Sequence, residues 1–153
     1  MTLPQEIQTA SPEETEALGE TLARAIVADP TLPRFVALYG DLGVGKTAFV
    51  RGFTRPIAPS APVRSPTFAL VNEYRGSPLS VFHFDMYRIG DEDELYAIGF
   101  YDYADRAGVC IAEWCENIPY AIPEACICVK IEKIDPSCPE QRRVRICLGQ
   151  DGI

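Results

Sequence analysis

The chain predicts an α/β fold of three layers, a mixed β-sheet flanked by helices, and three observations carry that prediction. An apolar run, Phe35-Val36-Ala37-Leu38-Tyr39, leads into Gly40-Asp41-Leu42-Gly43-Val44-Gly45-Lys46-Thr47 and then into a helical stretch. Strand, glycine-rich loop and helix in that order open a parallel sheet. Residues 68–74 and 79–86 read as two strands joined only by Arg75-Gly76-Ser77-Pro78, too short a link for a parallel crossover, so part of the sheet is antiparallel. Ile127, Val129 and Ile131, then Val144, Ile146 and Leu148, alternate around a turn-rich segment and predict a C-terminal hairpin over about residues 125–148.

The first predicted element is a helix. Ser11 is its N-cap, Pro12 its first helical residue and Glu14 the acid of a capping box. Leu18, Leu22, Ala25 and Ile26 mark its buried face, and Asp29-Pro30 ends it. The strand 35–39 and the glycine loop follow, with a helix from Ala48 to about Phe53. Pro56, Pro59, Pro62 and Pro66 then leave residues 56–67 without a regular period, a loop downstream of the glycine-rich turn. After the two antiparallel strands, Asp91-Glu92-Asp93-Glu94 opens a short helix that Gly99 ends. Val109-Cys110-Ile111-Ala112 is a short apolar strand running into Glu113-Trp114. With 153 residues the chain is expected to be one domain, 1–153, with the hairpin part of it.

Each residue type in the loop has a chemical task. Glycines turn backbone N–H groups onto phosphate oxygens, Lys46 brings a point charge to the β- and γ-phosphates, and Thr47 offers a hydroxyl to Mg2+. The helix behind adds the positive end of its dipole. A nucleoside triphosphate is therefore the expected ligand, and the chain is too short to carry a separate substrate domain as well.

Two acids end apolar strands, where open α/β sheets present ligand contacts: Asp85 after Ser80-Val81-Phe82-His83-Phe84, and Glu113 after Ala112. Either can hold Mg2+ directly or through water, leaving the other to orient an attacking water. His83, the only histidine, sits inside a strand, which favours a packed or hydrogen-bonded ring over a general base. Trp114 can cover the site, meet a partner or pack in the core.

Composition excludes other classes. A net charge of −8 argues against this chain alone being a strong nucleic-acid binder; the local exception, Arg142-Arg143-Val144-Arg145, is better read as a solvated strand face than as a phosphate contact. A hydrophobic fraction of 47% without a membrane-length apolar run, and no visible signal peptide, predict a cytoplasmic protein with no membrane partner. Cysteines at 110, 115, 126, 128, 138 and 147 contain no C-x-x-C pair, so zinc and thioredoxin-like chemistry are poorly supported. Cys126 and Cys128 share a strand face that Cys147 can approach from the next strand, yet small half-buried side chains in a reducing compartment are the preferred reading.

Taken in order, the loop at 40–47, Ser65-Pro66-Thr67-Phe68, His83-Phe84-Asp85-Met86-Tyr87-Arg88, Glu94-Leu95 with Ile98-Gly99-Phe100, and Glu113-Trp114 resemble the bacterial TsaE family over about residues 11–149. That resemblance implies a P-loop nucleoside triphosphatase fold and an ATPase of tRNA threonylcarbamoyladenosine biosynthesis, weak alone. It also implies protein partners, the two subunits of the threonylcarbamoyl-transferase complex, with tRNA met only indirectly. By motif, Gly40, Asp41, Leu42, Gly43, Val44, Gly45, Lys46 and Thr47 resemble the phosphate-holding loop, and Ser65 and Thr67 a switch-like segment near the γ-phosphate. Thr47 and Glu113 resemble the Mg2+ ligands, and Asp85 an acid needed for hydrolysis. Arg88 and Trp114 belong to the motifs without a derived role. Val44 stands where alanine is usual in the family, Ala69 where threonine is common, and Ala112 where a larger aliphatic precedes the glutamate. ATP is implied by the resemblance, since the chain has neither an N-K-x-D guanine signature nor a clear adenine-reading motif. The residues themselves leave a small-molecule kinase and a nucleotide-dependent switch as alternatives.

Overall fold

The computed structural model describes residues 1–150 except 65, 67–69 and 104. Its strands are β1 (Gln5–Thr9), β2 (Phe35–Tyr39), β3 (Val71–Tyr74), β4 (Ser80–Asp85), β5 (Gly108–Glu113), β6 (Ile127–Lys133) and β7 (Arg142–Leu148). The helices are α1 (Pro12–Ala28), α2 (Lys46–Thr54), α3 (Glu92–Ala97) and α4 (Phe100–Tyr103), and two 3-10 turns follow β5 at Cys115–Asn117 and Pro119–Ala121. Among the described residues the strands form one seven-stranded sheet in the order β1-β7-β6-β2-β5-β4-β3.

Four neighbouring strands, β6, β2, β5 and β4, run parallel, so their carboxyl ends share one edge of the sheet. Antiparallel pairs finish both sides: β3 on β4, and β7 on β6 with β1 beyond it. The sheet is therefore mixed, as expected, and the hairpin belongs to it. One strand is unanticipated. Gln5-Glu6-Ile7-Gln8-Thr9 carries a single large apolar residue, so it shows no core-forming period; it is placed by edge pairing with β7, Ile7 opposite Val144.

α1 begins as its cap residues dictate. Ser11 Oγ accepts from the Glu14 N–H at 3.2 Å, and the Glu14 carboxylate accepts from the Ala10 N–H at 2.6 Å, closing the box one residue earlier than the usual pattern. Leu18, Leu22 and Ile26 are buried, and Asp29 stops the helix by turning extended. α1 then packs closely on α2, because Gly19 and Gly52 stand at the crossing: a Cβ on Gly52 would lie 1.9 Å from the Glu16 carbonyl oxygen. Arg51 and Arg55 reach Glu16 at 2.6 and 3.2 Å across the outside of this pair.

The two sheet faces are covered differently. Val36, Leu38, Val109, Ile111, Ile127 and Val129 meet α1 and α2 on one face. Ala37, Phe82, Phe84, Cys110 and Cys128 meet α3, α4 and the 3-10 turns on the other. Val144 and Ile146 are buried as the alternation predicts, but Leu148 is 54% exposed, because β7 ends there and the chain leaves the sheet. All six cysteines are free. Cys126 and Cys128 stand 3.9 Å apart at sulfur, with Cys147 opposite Cys128 in register. Burial pushes the Cys110 and Cys128 thiols up to about 12, which leaves them as inert packing groups. No described helix is long and apolar enough to cross a membrane.

Candidate functional site

The loop after β2 is shaped by backbone that only glycine adopts readily. Gly40 has φ of 153° and Gly45 of 111°. At Gly40 the space is also closed, since an added Cβ would lie 2.7 Å from Val44 Cγ1 and 2.8 Å from the Ile131 carbonyl oxygen. At Gly43 and Gly45 it would meet nothing within 4 Å, so at these two positions the positive φ, 75° and 111°, rather than lack of space calls for glycine. Lys46 Nζ folds back and donates to the Gly40 carbonyl at 2.6 Å, and Arg142 Nε donates to the Val44 carbonyl, also at 2.6 Å, from behind.

Register delivers the acids. β4 and β5 are parallel with Asp85 opposite Glu113, at the carboxyl edge where β2 gives way to the loop. Glu113 is buried, with one oxygen 3.9 Å from Lys46 Nζ and the other 2.5 Å from His83 Nε2. Asp85 Oδ1 accepts from the Tyr87 N–H at 3.0 Å. Desolvation by burial raises the Asp85 carboxyl above the ordinary range, and the Glu113 charge adds to the shift while the Tyr87 hydrogen bond opposes part of it.

After Glu113 the chain turns sharply. Trp114 is left-handed, φ 60°, and this aims its indole back over Lys46, with Nζ 4.0 Å from the ring centroid. Tyr87 packs on Trp114 at 5.0 Å between centroids. Asn117 Nδ2 donates to the Met86 and Tyr87 carbonyls at 2.9 and 3.1 Å, tying the turn after β5 to the turn after β4.

The result is a cavity of about 300 Å3 with Gly43, Gly45, Lys46 and Thr47 on one wall and Asp85, Glu113 and Trp114 on the other. Arg88 lines an adjoining cleft of about 180 Å3 with Leu42, Pro66 and Tyr87. A third cleft, about 140 Å3, lies on the far side of the loop between Pro12, Thr15, Ala48 and Arg142. A wider one of about 680 Å3 holds Gly40, Asp41 and Val44 but neither Lys46, Thr47 nor either acid, so the chemistry points to the smaller cavity.

The structure thus brings together the loop residues, Thr47, Asp85, Glu113 and Trp114, and sets Arg88 beside them. Ser65 and Thr67 lie outside the described residues. Reading 142–145 as a solvated face needs correction at Arg142, whose guanidinium is spent on Val44 and on the Pro139 and Gln141 carbonyls; Arg143 and Arg145 do pair with Glu6 and Glu132 on the surface. Arg142 is 98 residues from Val44, and no spacing could have shown that contact.

Thr47, Asp85 and Glu113 offer hard oxygen donors, the kind Mg2+ takes. Among the described residues no three His, Cys, Asp or Glu side chains form an all-protein metal cage. That donor set suits an ion which completes its shell with phosphate oxygens and water, as Mg2+ does at nucleotide sites.

A glycine loop between a central parallel strand and its helix, in a mixed sheet covered on both faces, defines the P-loop nucleoside triphosphatase fold. A family model described as "Threonylcarbamoyl adenosine biosynthesis protein TsaE" matches residues 9–144, and the chain belongs to the TsaE family. Relatives carrying the name tRNA threonylcarbamoyladenosine biosynthesis protein TsaE include one from Haemophilus influenzae, 42% identical over 77% of this chain and 75% of that one. Another from Bacillus subtilis is 35% identical over 82% of this chain and 76% of that one. One from Aquifex aeolicus is 35% identical over 95% of this chain and 98% of that one. The crystal structure of Bacillus subtilis YdiB superposes with a TM-score of 0.73 at 27% identity, covering 97% of this chain and 88% of that one.

Proposed function

We propose that this protein is a Mg2+-dependent ATPase of tRNA threonylcarbamoyladenosine biosynthesis, acting by ATP binding and hydrolysis on a threonylcarbamoyl-transferase complex in the cytoplasm. One observation carries the hydrolytic part of this reading. Asp85 and Glu113 stand side by side in register and face Lys46 and Thr47 across a single cavity. A phosphate-binding loop alone would hold a nucleotide; acids on the opposite wall supply what hydrolysis needs.

In this reading the loop amides and Lys46 hold the β- and γ-phosphates, and Thr47 and Glu113 would hold Mg2+, which would supply charge neutralisation at the triphosphate. Asp85 orients a water for in-line attack on the γ-phosphorus. A P–O bond to that water forms as the bridging bond to the β-phosphate breaks, leaving ADP and inorganic phosphate. The cleft between α1 and Arg142, which shares Gly45 with the cavity, would receive the base. Net charge of −8 supports an effect on tRNA that passes through protein partners.

The test is phosphate release and the fate of γ-32P label from ATP, with and without the transferase complex. Labelled inorganic phosphate, released faster with the complex, is the expected result. Label in an organic product would show a kinase, and partner binding that survives loss of hydrolysis would show a switch.

A further inference from the structure

Among the described residues, His83 is the one buried ionisable group beside the cavity to which hydrolysis assigns no task. It is fully buried in the middle of β4, on the same sheet face as Asp85, and Ile111 is its register partner on β5. Glu113, two residues further along β5, is therefore its diagonal neighbour, close enough for the ring to reach. Nε2 lies 2.5 Å from one Glu113 oxygen. Because a carboxylate only accepts, this nitrogen carries the hydrogen and donates it. Nδ1 has no hydrogen-bond partner among the described residues, so the ring spends its polar contact on Glu113 alone.

The ring is also held from behind. Tyr74 lies on the β3 side with its centroid 6.2 Å from that of His83. Its own hydroxyl is tied to the Arg64 backbone, accepting from N–H at 3.0 Å and donating to the carbonyl at 2.9 Å. His83 is thus wedged between a fixed aromatic ring and a carboxylate. A glutamate side chain has rotatable bonds that would otherwise let both oxygens wander, and here one is pinned away from the cavity while the other faces Lys46.

We infer that His83 is a positioning residue for Mg2+ binding: it anchors one Glu113 oxygen through Nε2–H and reserves the other for the ion. This rests on the Mg2+-ATP reading above. Groups that orient a metal's ligands typically change metal affinity by about 10- to 100-fold when removed.

Two substitutions separate positioning from mere filling of a buried space. In His83→Gln the amide nitrogen takes the place of Nε2 and still reaches Glu113. In His83→Asn the amide takes the place of Nδ1 and falls short of it. Trp114 is the only tryptophan and sits over Lys46, so its emission reports on the site directly. The experiment titrates Mg2+ into the 153-residue protein with saturating ATP analogue and follows that emission, with thermal unfolding of each variant measured alongside.

His83→Asn is expected to raise the Mg2+ midpoint about 10- to 100-fold, and His83→Gln to stay near wild type, whatever the two do to thermal stability. In a Glu113→Ala background the two should become indistinguishable. Equal midpoints for Asn and Gln, or a loss of stability with the Mg2+ midpoint unmoved, would overturn the inference. A wild-type protein whose emission ignores Mg2+ and nucleotide would instead overturn the reading on which it rests.

Discussion

The cavity has two walls that keep their shape by different means. On the loop wall, residues 40–47 are contiguous, and their form comes from positive φ at Gly40, Gly43 and Gly45 and from two side chains, Lys46 and Arg142, that bind loop carbonyls. On the acid wall, Asp85, His83 and Glu113 come from two strands and are held by strand register and by side-chain contacts. The loop wall takes its shape mainly from backbone, so apart from Lys46, Thr47 and the Arg142 brace its sensitive positions are the glycines that need positive φ. The acid wall is side-chain-built, so single substitutions reach its chemistry directly.

The strongest break of this contrast removes one charge from each wall. Lys46→Ala and Glu113→Ala should each lower partner-stimulated phosphate release by at least about 10²-fold, the scale of losing a preorganised charge at a transition state. Equal severity from opposite walls would show that neither works alone. Full activity of the Glu113 variant would move the metal role onto Asp85.

Next in size is a change to the loop backbone that leaves every charge in place. Gly40→Ala puts a Cβ against Val44 and the Ile131 carbonyl at unfavourable φ and should cost about 1–3 kcal/mol in urea unfolding, with a matching loss of nucleotide affinity. An unchanged variant would mean that the loop is not fixed by its backbone. Arg142→Ala releases the brace on Val44 and should weaken nucleotide binding about tenfold, or ~1.4 kcal/mol, while the Mg2+ dependence stays as in wild type. Isothermal titration with and without Mg2+ separates the two quantities.

The smallest effect concerns stability and pH on the acid wall. The raised Asp85 carboxyl means that the folded protein binds its proton more tightly than the unfolded chain does. Between the ordinary carboxylate value and the raised one, the native state therefore carries more protons, and stability falls as pH rises through that window. Without nucleotide or Mg2+, Asp85→Asn should thus be modestly more stable than wild type at neutral pH. That gain should vanish once the pH drops below the ordinary carboxylate range, as urea midpoints against pH will show. A destabilised Asn variant at neutral pH would mean that the Tyr87 hydrogen bond outweighs burial.

The same contrast governs what the sequence made legible. Residues 40–47 were readable because their determinants are adjacent, and α1 because Ser11, Pro12 and Glu14 are local cap signals. Asp85 and Glu113 were readable as acids ending apolar strands, but their pairing depends on β4–β5 register, which no local pattern specifies. β1 leaves no trace in the pattern because an edge strand buries too little to leave a period, and the alternation that places Leu148 on β7 does not tell that its side chain is exposed where the strand ends. Arg142 and the Tyr74–His83–Glu113 arrangement join residues far apart in the chain, and only the fold shows them.

The most direct test of the whole site is a crystal structure with Mg2+ and a non-hydrolysable ATP analogue. The account predicts the γ-phosphate between Lys46 and the two acids, and the ion about 2.1 Å from Thr47 Oγ1, with Glu113 bound to it directly or through one water and Asp85 facing the attack side of the phosphorus. An ion held by Asp85 with Glu113 turned away, or a triphosphate lodged outside the cavity between the two walls, would contradict it.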